Sequence, residues 1–276
     1  MVEKEKLMNN MVEIRNLNYS YKNNQVFEDL SLNIEKSSWT TILGCNGAGK
    51  TTLARLLVGL LRSHDQITID GISLTKKTLR EIRKNIGVVF DTPEVIFVAE
   101  TVKDEIAFTL ENLQMKKEEI ERRVLEIAHT LKLNTMLDIE PHRLSGGQMQ
   151  KVALASALVL KPKVLILDEA LSMIDPYDKE EIMKMLMEYH KENDTTIINF
   201  TSDIEEAVYG DNIIGLEKGT IGIEGTTIEV LNEERSMKKL GLELPFIVSL
   251  AQKLKLYGLI ENIETDIDKL VNEVWK

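Results

Sequence analysis

The chain has 276 residues, enough for one large domain or two small ones at roughly 150 residues each. Hydrophobic residues make up 43% and charged residues 29%, which excludes wholesale disorder and fibrous repeats and predicts a folded globular protein. With 34 Lys and Arg against 45 Asp and Glu the net charge is −11, a poor balance for coating nucleic acid, and one cysteine excludes an internal disulfide.

Residues 1–10 have mixed charge and no apolar core, so they read as a mobile lead-in rather than a signal peptide. Short strands follow, marked by Val12, Ile14 and Leu17, then Leu30, Leu32 and Ile34, then Trp39 to Leu43. A glycine-rich turn leads into Leu53, Leu56, Leu57, Leu60 and Leu61, whose spacing predicts a helix opening at Lys50. Ile67 to Asp70 reads as a strand, Thr78 to Lys84 as a helix and Ile86 to Phe90 as an apolar strand. Two successive helices, Thr101 to Asn112 and Lys116 to Leu133, suggest a helical insert in an α/β domain.

A further helix is expected within Leu144 to Leu160, of which Val152 to Leu160 is the longest nearly apolar stretch, far too short to span a bilayer. Val164 to Leu167 is an unbroken apolar strand of the kind found in the centre of parallel sheets. Helix Tyr177 to Lys191, strand Thr196 to Phe200, helix Asp203 to Val208 and strand Ile213 to Leu216 continue the alternation, which predicts a mostly parallel sheet. In the tail, helices are expected from Pro245 to Leu256 and from Thr265, where Thr265 and Asp268 have capping-box spacing.

Three patterns carry chemistry. Gly44, Cys45, Asn46, Gly47, Ala48, Gly49, Lys50 and Thr51 match G-x-x-x-x-G-K-[ST] between a strand and a helix, with Thr52 next in line. In that pattern backbone N–H groups and the helix N-terminus face phosphate oxygens, Lys50 reaches the β- and γ-phosphates of ATP, and Thr51 offers its hydroxyl to Mg²⁺. Asp168 and Glu169 end the apolar strand; Asp168 is suited to holding a water of Mg²⁺ and Glu169 to orienting or deprotonating an attacking water. Leu144, Ser145, Gly146, Gly147 and Gln148 form a second glycine-bearing helix start, with Ser145 lying 23 residues before Asp168.

This last string, LSGGQ, between a phosphate loop and a strand ending in Asp-Glu, resembles the signature of the ATP-binding cassette (ABC) family. The resemblance implies a P-loop ATPase core over residues 11–235, with an N-terminal antiparallel β subdomain, a helical signature subdomain at about 92–160, and a C-terminal helical dimerisation extension at 236–276. It implies that Ser145 and its glycines meet ATP held by a second ATPase in a head-to-tail dimer. Ser172 and Asp175 resemble the family's D-loop, and Tyr21 its adenine-stacking aromatic, with Tyr19 as fallback.

Two positions depart from the family pattern. Asp91 stands where the family has a glutamine that contacts Mg²⁺ and water, and Ser202 where it has a histidine on the γ-phosphate. A carboxylate about 4 Å from a phosphate oxygen is repelled by a few kcal/mol unless Mg²⁺ intervenes, so Asp91 is a further candidate metal ligand. Ser202 donates one hydrogen bond and carries no positive charge. The chain's own loop is therefore expected to bind ATP and hydrolyse it slowly, while its intact signature serves a partner, which favours a heterodimer.

Without a second fused cassette or a long coiled coil, the chain looks more like a transporter ATPase than a soluble factor of DNA repair or translation. Val88 to Glu94, Phe97, Thr101 to Phe108, Leu167 to Pro176 and the tail Leu242 to Leu259 resemble the energy-coupling-factor ATPases of the CbiO type, though conventional importers share much of this. That resemblance implies a peripheral protein on the cytoplasmic face of the membrane, working with a transmembrane coupling subunit and a substrate-binding membrane subunit, without nucleic acid. Phe97 is either an anchor for the membrane subunit or core packing. The histidines His64, His129, His142 and His190 show no ligand spacing and are expected at the surface.

Overall fold

The computed structural model describes residues 9–22, 24–63, 66–92 and 97–275. Residues 1–8 of the expected lead-in, His64, and Pro93 and Glu94 lie outside them. The lead-in ends sooner than expected, because β1 (Asn10–Tyr21) already includes Asn10.

β1 pairs antiparallel with β2 (Asn24–Glu35) and with β4 (Ile67–Ile69), which pairs in turn with β5 (Ile72–Ser73). The second sheet has six strands: β3 (Trp39–Leu43), β6 (Ile86–Val89), β7 (Val164–Asp168), β8 (Thr196–Thr201), β9 (Asn212–Glu217) and β10 (Thr220–Thr226). Their order is β10-β9-β3-β8-β7-β6, parallel except for the edge strand β10. Every residue of β3, β7 and β8 is buried, as expected of central parallel strands, and in β7 this gives the unbroken apolar run Val164 to Leu167.

α1 (Lys50–Leu57) packs under this sheet, followed by the short α2 (Leu79–Arg83). The expected leucine helix stops at Leu57: the chain turns at Gly59 with φ 66°, leaving Leu60 exposed. Helices α3 (Val102–Asn112), α4 (Lys117–Thr130) and α5 (Gly146–Leu158) form the helical part, sharing a core with α6 (Pro176–Asn193). The short helix expected at Asp203 to Val208 is a 3₁₀ helix over Ile204–Tyr209.

After β10, which the sequence patterning did not reveal, come α7 (Thr227–Asn232), α8 (Glu234–Lys239), α9 (Phe246–Leu256) and α10 (Ile267–Val274). The expected Thr265 capping box is absent: Asp266 caps α10 instead, accepting from the Asp268 and Lys269 N–H groups at 2.9 and 3.0 Å. A carboxylate one residue nearer the helix takes the Asp268 N–H that Thr265 was expected to serve, and the Lys269 N–H as well. His190 is also not a surface residue; its Nδ1 lies 2.7 Å from the Thr195 carbonyl and its ring meets Trp39 edge-on at 6.3 Å. Phe97 is 8% exposed, packed in the helical core beside His142 at 6.3 Å, which favours the packing alternative.

Candidate nucleotide-binding site

Parallel register decides which residues meet. Leu43 lies opposite Thr201, Asp168 opposite Phe200, and Val89 opposite Leu167. The chain therefore leaves β3 into Gly44, β8 into Ser202, β7 into Glu169 and β6 toward Asp91, all along one carboxyl-terminal edge, the usual ligand edge of a parallel sheet.

Gly47 and Gly49 take φ values of 85° and 110°, left-handed geometry that side chains resist. Space is limiting as well, since a Cβ on Gly49 would stand 2.9 Å from Phe27 Cε1 and one on Gly44 only 2.5 Å from the Leu216 carbonyl oxygen. The loop is thus wedged between the two sheets. Lys50, only 6% exposed, donates to the Gly44 and Cys45 carbonyls at 2.6 and 3.3 Å. Its Nζ lies 3.2 Å from Glu169 Oε1, close enough to pair as ions without the alignment of a hydrogen bond. Glu169 itself sits at φ 50°, and its N–H donates to the Phe200 carbonyl at 2.8 Å.

Thr51 Oγ1 donates to Asp168 Oδ1 at 3.1 Å. Asp168 is fully buried and its other oxygen, Oδ2, has no hydrogen-bond partner. Burial pushes its pKa up to about 6; the Thr51 hydrogen bond opposes this, and the charges of Asp91 and Glu169 add to it. An unpaired buried carboxylate oxygen beside a threonine hydroxyl is a donor set that fits a hard divalent cation or its water. Among the described residues no cluster of three His, Cys, Asp or Glu is placed to hold a metal unaided, so such a cation needs oxygen ligands from outside the protein, as nucleotide phosphates provide.

Asp91 is exposed, with Thr92 donating to it at 3.3 Å, and its backbone is tethered where Gln150 Nε2 donates to the Asp91 and Phe90 carbonyls at 3.0 and 3.4 Å. Gln150 was missed from sequence; its signal is a lone amide at a buried position of an apolar helix. Ser202 is half-buried, and the loop around it is fixed by Asp203, whose carboxylate pairs with Lys179 at 2.6 Å. Lys179 also pairs with buried Glu206 at 2.6 Å; burial pulls its pKa down, yet Glu206 and Asp203 outweigh that and the net shift is upward.

Tyr21 is 41% exposed and stacks edge-on against Tyr19 at 5.1 Å. Tyr19 lies opposite Phe27, the ring that abuts Gly49, so both tyrosines belong to the strand pair flanking the loop. Cys45 is exposed and donates its thiol to the Leu240 carbonyl at 2.8 Å.

The signature turn is constructed differently. Ser145 caps α5, accepting from the Gln148 N–H at 3.3 Å, while Gln148 Oε1 accepts from the Ser145 N–H at 3.0 Å. The Ser-x-x-Gln spacing carries the signal for this capping box, which the sequence reading did not pick out. Cβ atoms on Gly146 and Gly147 would meet Met173 and Ile174 at 3.5 and 3.4 to 3.8 Å, so the signature packs on the D-loop of its own chain. In the D-loop, Ser172 Oγ donates to the Glu169 carbonyl at 2.8 Å and Asp175 caps α6 through the Tyr177 and Asp178 N–H groups.

Comparison with known proteins agrees with this geometry. Residues 27–172 match the family model described as ABC transporter. The energy-coupling factor transporter ATP-binding protein EcfA of Pediococcus pentosaceus is 40% identical over 97% of each chain, and EcfA1 of Lactobacillus gasseri 38% identical over 96% of this chain and 95% of its own. Among solved structures, cbiO1 from Clostridium perfringens, part of the ABC transporter complex cbiONQ, superposes with a TM-score of 0.75 at 33% identity, covering 88% of this chain and 99% of that one. A dimeric ATP-binding cassette in a post-hydrolysis state bound to ADP and Pi gives a TM-score of 0.72 at 28% identity, over 79% of this chain and 99% of that one. The chain belongs to the ABC transporter family, and within it stands with the energy-coupling factor transporter ATP-binding proteins.

Proposed function

We propose that this chain is the ATP-binding subunit of an energy-coupling-factor importer, coupling ATP binding and hydrolysis to uptake of a vitamin or a transition-metal ion. The phosphate loop Gly44 to Thr52 holds the triphosphate, and Tyr21 stacks on the adenine. Thr51, and Asp168 through a water, would hold Mg²⁺, which would neutralise phosphate charge there. Lys50 adds its ammonium, and Glu169 orients the attacking water.

Asp91 and Ser202 make the chain's own site slow. Asp91 brings a negative charge to the place where charge already accumulates, and Ser202 offers no positive charge to the γ-phosphate. The intact Leu144 to Gln148 turn then serves ATP on a partner ATPase, with Ser172 and Asp175 lining the junction. The observation that carries this reading is a phosphate loop whose Lys50 pairs with Glu169 and whose Thr51 bonds Asp168, leaving the buried Asp168 Oδ2 without a partner, with the exposed carboxylate of Asp91 on the same sheet edge.

The remaining partners are a transmembrane coupling subunit and a substrate-binding membrane subunit; among the described residues no helix is long and apolar enough to cross a membrane itself. A groove of about 750 Å³ between Arg55, Phe90, Asp91 and Phe108 is the place for a helix of the membrane subunit. Val98 at 67% exposure, rather than buried Phe97, is its apolar contact. The tail 236–276 exposes Phe246, Leu256, Tyr257 and, at 83%, Trp275, an apolar face suited to the second ATPase.

The test compares ATP turnover by the purified chain alone with that of the complex formed with a second cassette and the membrane subunits. Slow turnover alone and fast turnover in the complex are expected. Rates by the isolated chain equal to those of the complex overturn the slow-site reading, and failure to assemble with any membrane subunit overturns the importer assignment.

A further inference from the structure

Cys45 occupies a position that the phosphate-loop pattern leaves free, yet it is the point where the loop touches the C-terminal segment. Its thiol donates to the Leu240 carbonyl at 2.8 Å, and its own carbonyl accepts from Lys50 Nζ at 3.3 Å. Leu240, Cys45 and Lys50 thus form one relay that ends on the ammonium facing the phosphates.

The far end of this relay is rigidly seated. Leu240 is 5% exposed and shares a core cluster with Leu43, the residue just before Gly44. Its Cδ1 lies 2.5 Å from where a Gly215 Cβ would stand and its Cδ2 3.5 Å from that of Gly222. Gly215 is the register partner of Leu43, so two glycines on β9 and β10 leave a notch beside the root of the loop, and Leu240 fills it. Gly241 then turns the chain at φ 71°, and a Cβ there would sit 3.0 Å from the Cys45 sulfur. Farther on, the Phe246 N–H donates to Glu205 Oε1 at 3.2 Å, on the 3₁₀ helix that follows Ser202. The segment from Leu240 to the first residue of α9 therefore touches both the phosphate loop and the 3₁₀ helix that follows Ser202.

We propose that Leu240 is a positioning residue for the phosphate loop. Acting through Cys45 it sets one of the two carbonyls that accept from Lys50, so that nucleotide affinity and the docking of the C-terminal segment are linked. Linkage is reciprocal: a nucleotide that moves Cys45 shifts the segment, and a partner that pulls on α9 changes nucleotide affinity by the same factor. The inference rests on the nucleotide role of Gly44 to Thr51 but not on the importer assignment.

The test measures MgATP affinity of the full chain with a fluorescent ATP analogue, alongside thermal unfolding. Leu240→Ala and Cys45→Ala are each expected to weaken binding by about 5- to 10-fold, and the double variant no further, because both break one relay. Leu240→Met, which refills the notch and keeps the carbonyl in place, is expected to restore affinity. Maleimide labelling of Cys45, the only cysteine, is expected to quicken in Leu240→Ala and to change rate in the wild type when MgATP binds. Additive losses, or a folded Leu240→Ala variant with lowered Tm and wild-type affinity, reduce Leu240 to packing and overturn the proposal. Should Leu240→Ala not fold, Cys45→Ala decides alone, since it removes the thiol without opening the notch; unchanged affinity there overturns the proposal. Absence of MgATP binding by the wild type instead overturns the nucleotide reading on which it rests.

Discussion

Gly44 to Thr51 and Leu144 to Gln148 are both glycine-bearing helix starts that present N–H groups and a positive dipole end. The first is wedged between two sheets, with Lys50 paired to Glu169 and Thr51 bonded to Asp168. The second is exposed at Ser145 and satisfied mainly by itself, through the reciprocal bonds with Gln148. Among the described residues, the side-chain bonds of Ser145 and Gln148 join these two residues to each other and reach no lysine or acid. The contrast teaches that a phosphate site needs more than a helix start: the first turn gathers its charged groups within the chain, and on the proposed function the second is a half-site that gains them from a neighbour.

The contrast is broken most severely by paired substitutions. Lys50→Met is expected to weaken MgATP binding by the isolated chain on the order of 10²-fold, because it removes the charge-assisted bonds to phosphate. Gly147→Asp is expected to act only in the assembled complex, cutting ATP turnover on the order of 10³-fold by setting a carboxylate against the partner's γ-phosphate. At position 147 a new Cβ meets only ordinary contacts, at 3.4 Å or more, so the variant should fold. Glu169→Gln should cost the complex far less. Equal losses from Gly147→Asp and Glu169→Gln in a steady-state ATPase assay contradict the division of labour.

Electrostatic cost sharpens the comparison next. Asp168 has its pKa raised by burial from 3.8 to about 6, so between those values the folded chain binds more protons than the unfolded chain. Stability of the nucleotide-free protein therefore falls as pH rises through that window, by about 3 kcal/mol at most, and the full cost persists above pH 6. Asp168→Asn is expected to raise Tm at pH 7.5 and to lose that advantage toward pH 4, while abolishing Mg²⁺-dependent nucleotide binding. A Tm difference that does not vary with pH, read by calorimetry, contradicts the assignment. The signature turn carries no such buried carboxylate and should show no counterpart.

Smaller still is the gain from restoring the family's residues. Asp91→Gln with Ser202→His is expected to raise turnover at the chain's own loop by about tenfold, since it removes a repulsion and adds a donor that can carry positive charge. No gain in single-turnover hydrolysis points to a different cause of slowness.

How far the sequence could be read follows the same division. The loop, its flanking strand and the strand ending in Asp168 were legible because buried parallel strands and a glycine-rich turn leave dense local patterns. The meeting of Asp91, Ser202 and Glu169 on one edge was expected from family resemblance, and its cause, the strand register, is a tertiary fact. β10 escaped notice because its burial alternates at an exposed edge, in a stretch rich in Gly and Thr. The Thr265 capping box failed because Asp266 competes for the same N–H groups one residue later. Leu240 was invisible for a further reason: its value lies in two absent side chains, at Gly215 and Gly222, distant in sequence from the loop they serve.

The smallest expected effect isolates what the signature turn does for its own chain from what it does for a partner. Ser145→Ala removes the hydroxyl that accepts from the Gln148 N–H, and should lower stability by about 1 kcal/mol, a Tm shift of about 2 to 4 °C. Ser145→Asp keeps a cap acceptor and adds a charge that the helix dipole favours, so its Tm should stay near the wild type. In the assembled complex the order reverses. The alanine variant keeps the glycine N–H groups and retains part of its turnover, whereas the aspartate sets a negative charge against the partner's phosphate and should be nearly inactive. Stability and activity thus move in opposite directions across two substitutions at one atom position, which a capping role alone does not produce. If Tm and ATPase rate instead fall together in the same variant, Ser145 serves the fold and the partner's nucleotide lies elsewhere.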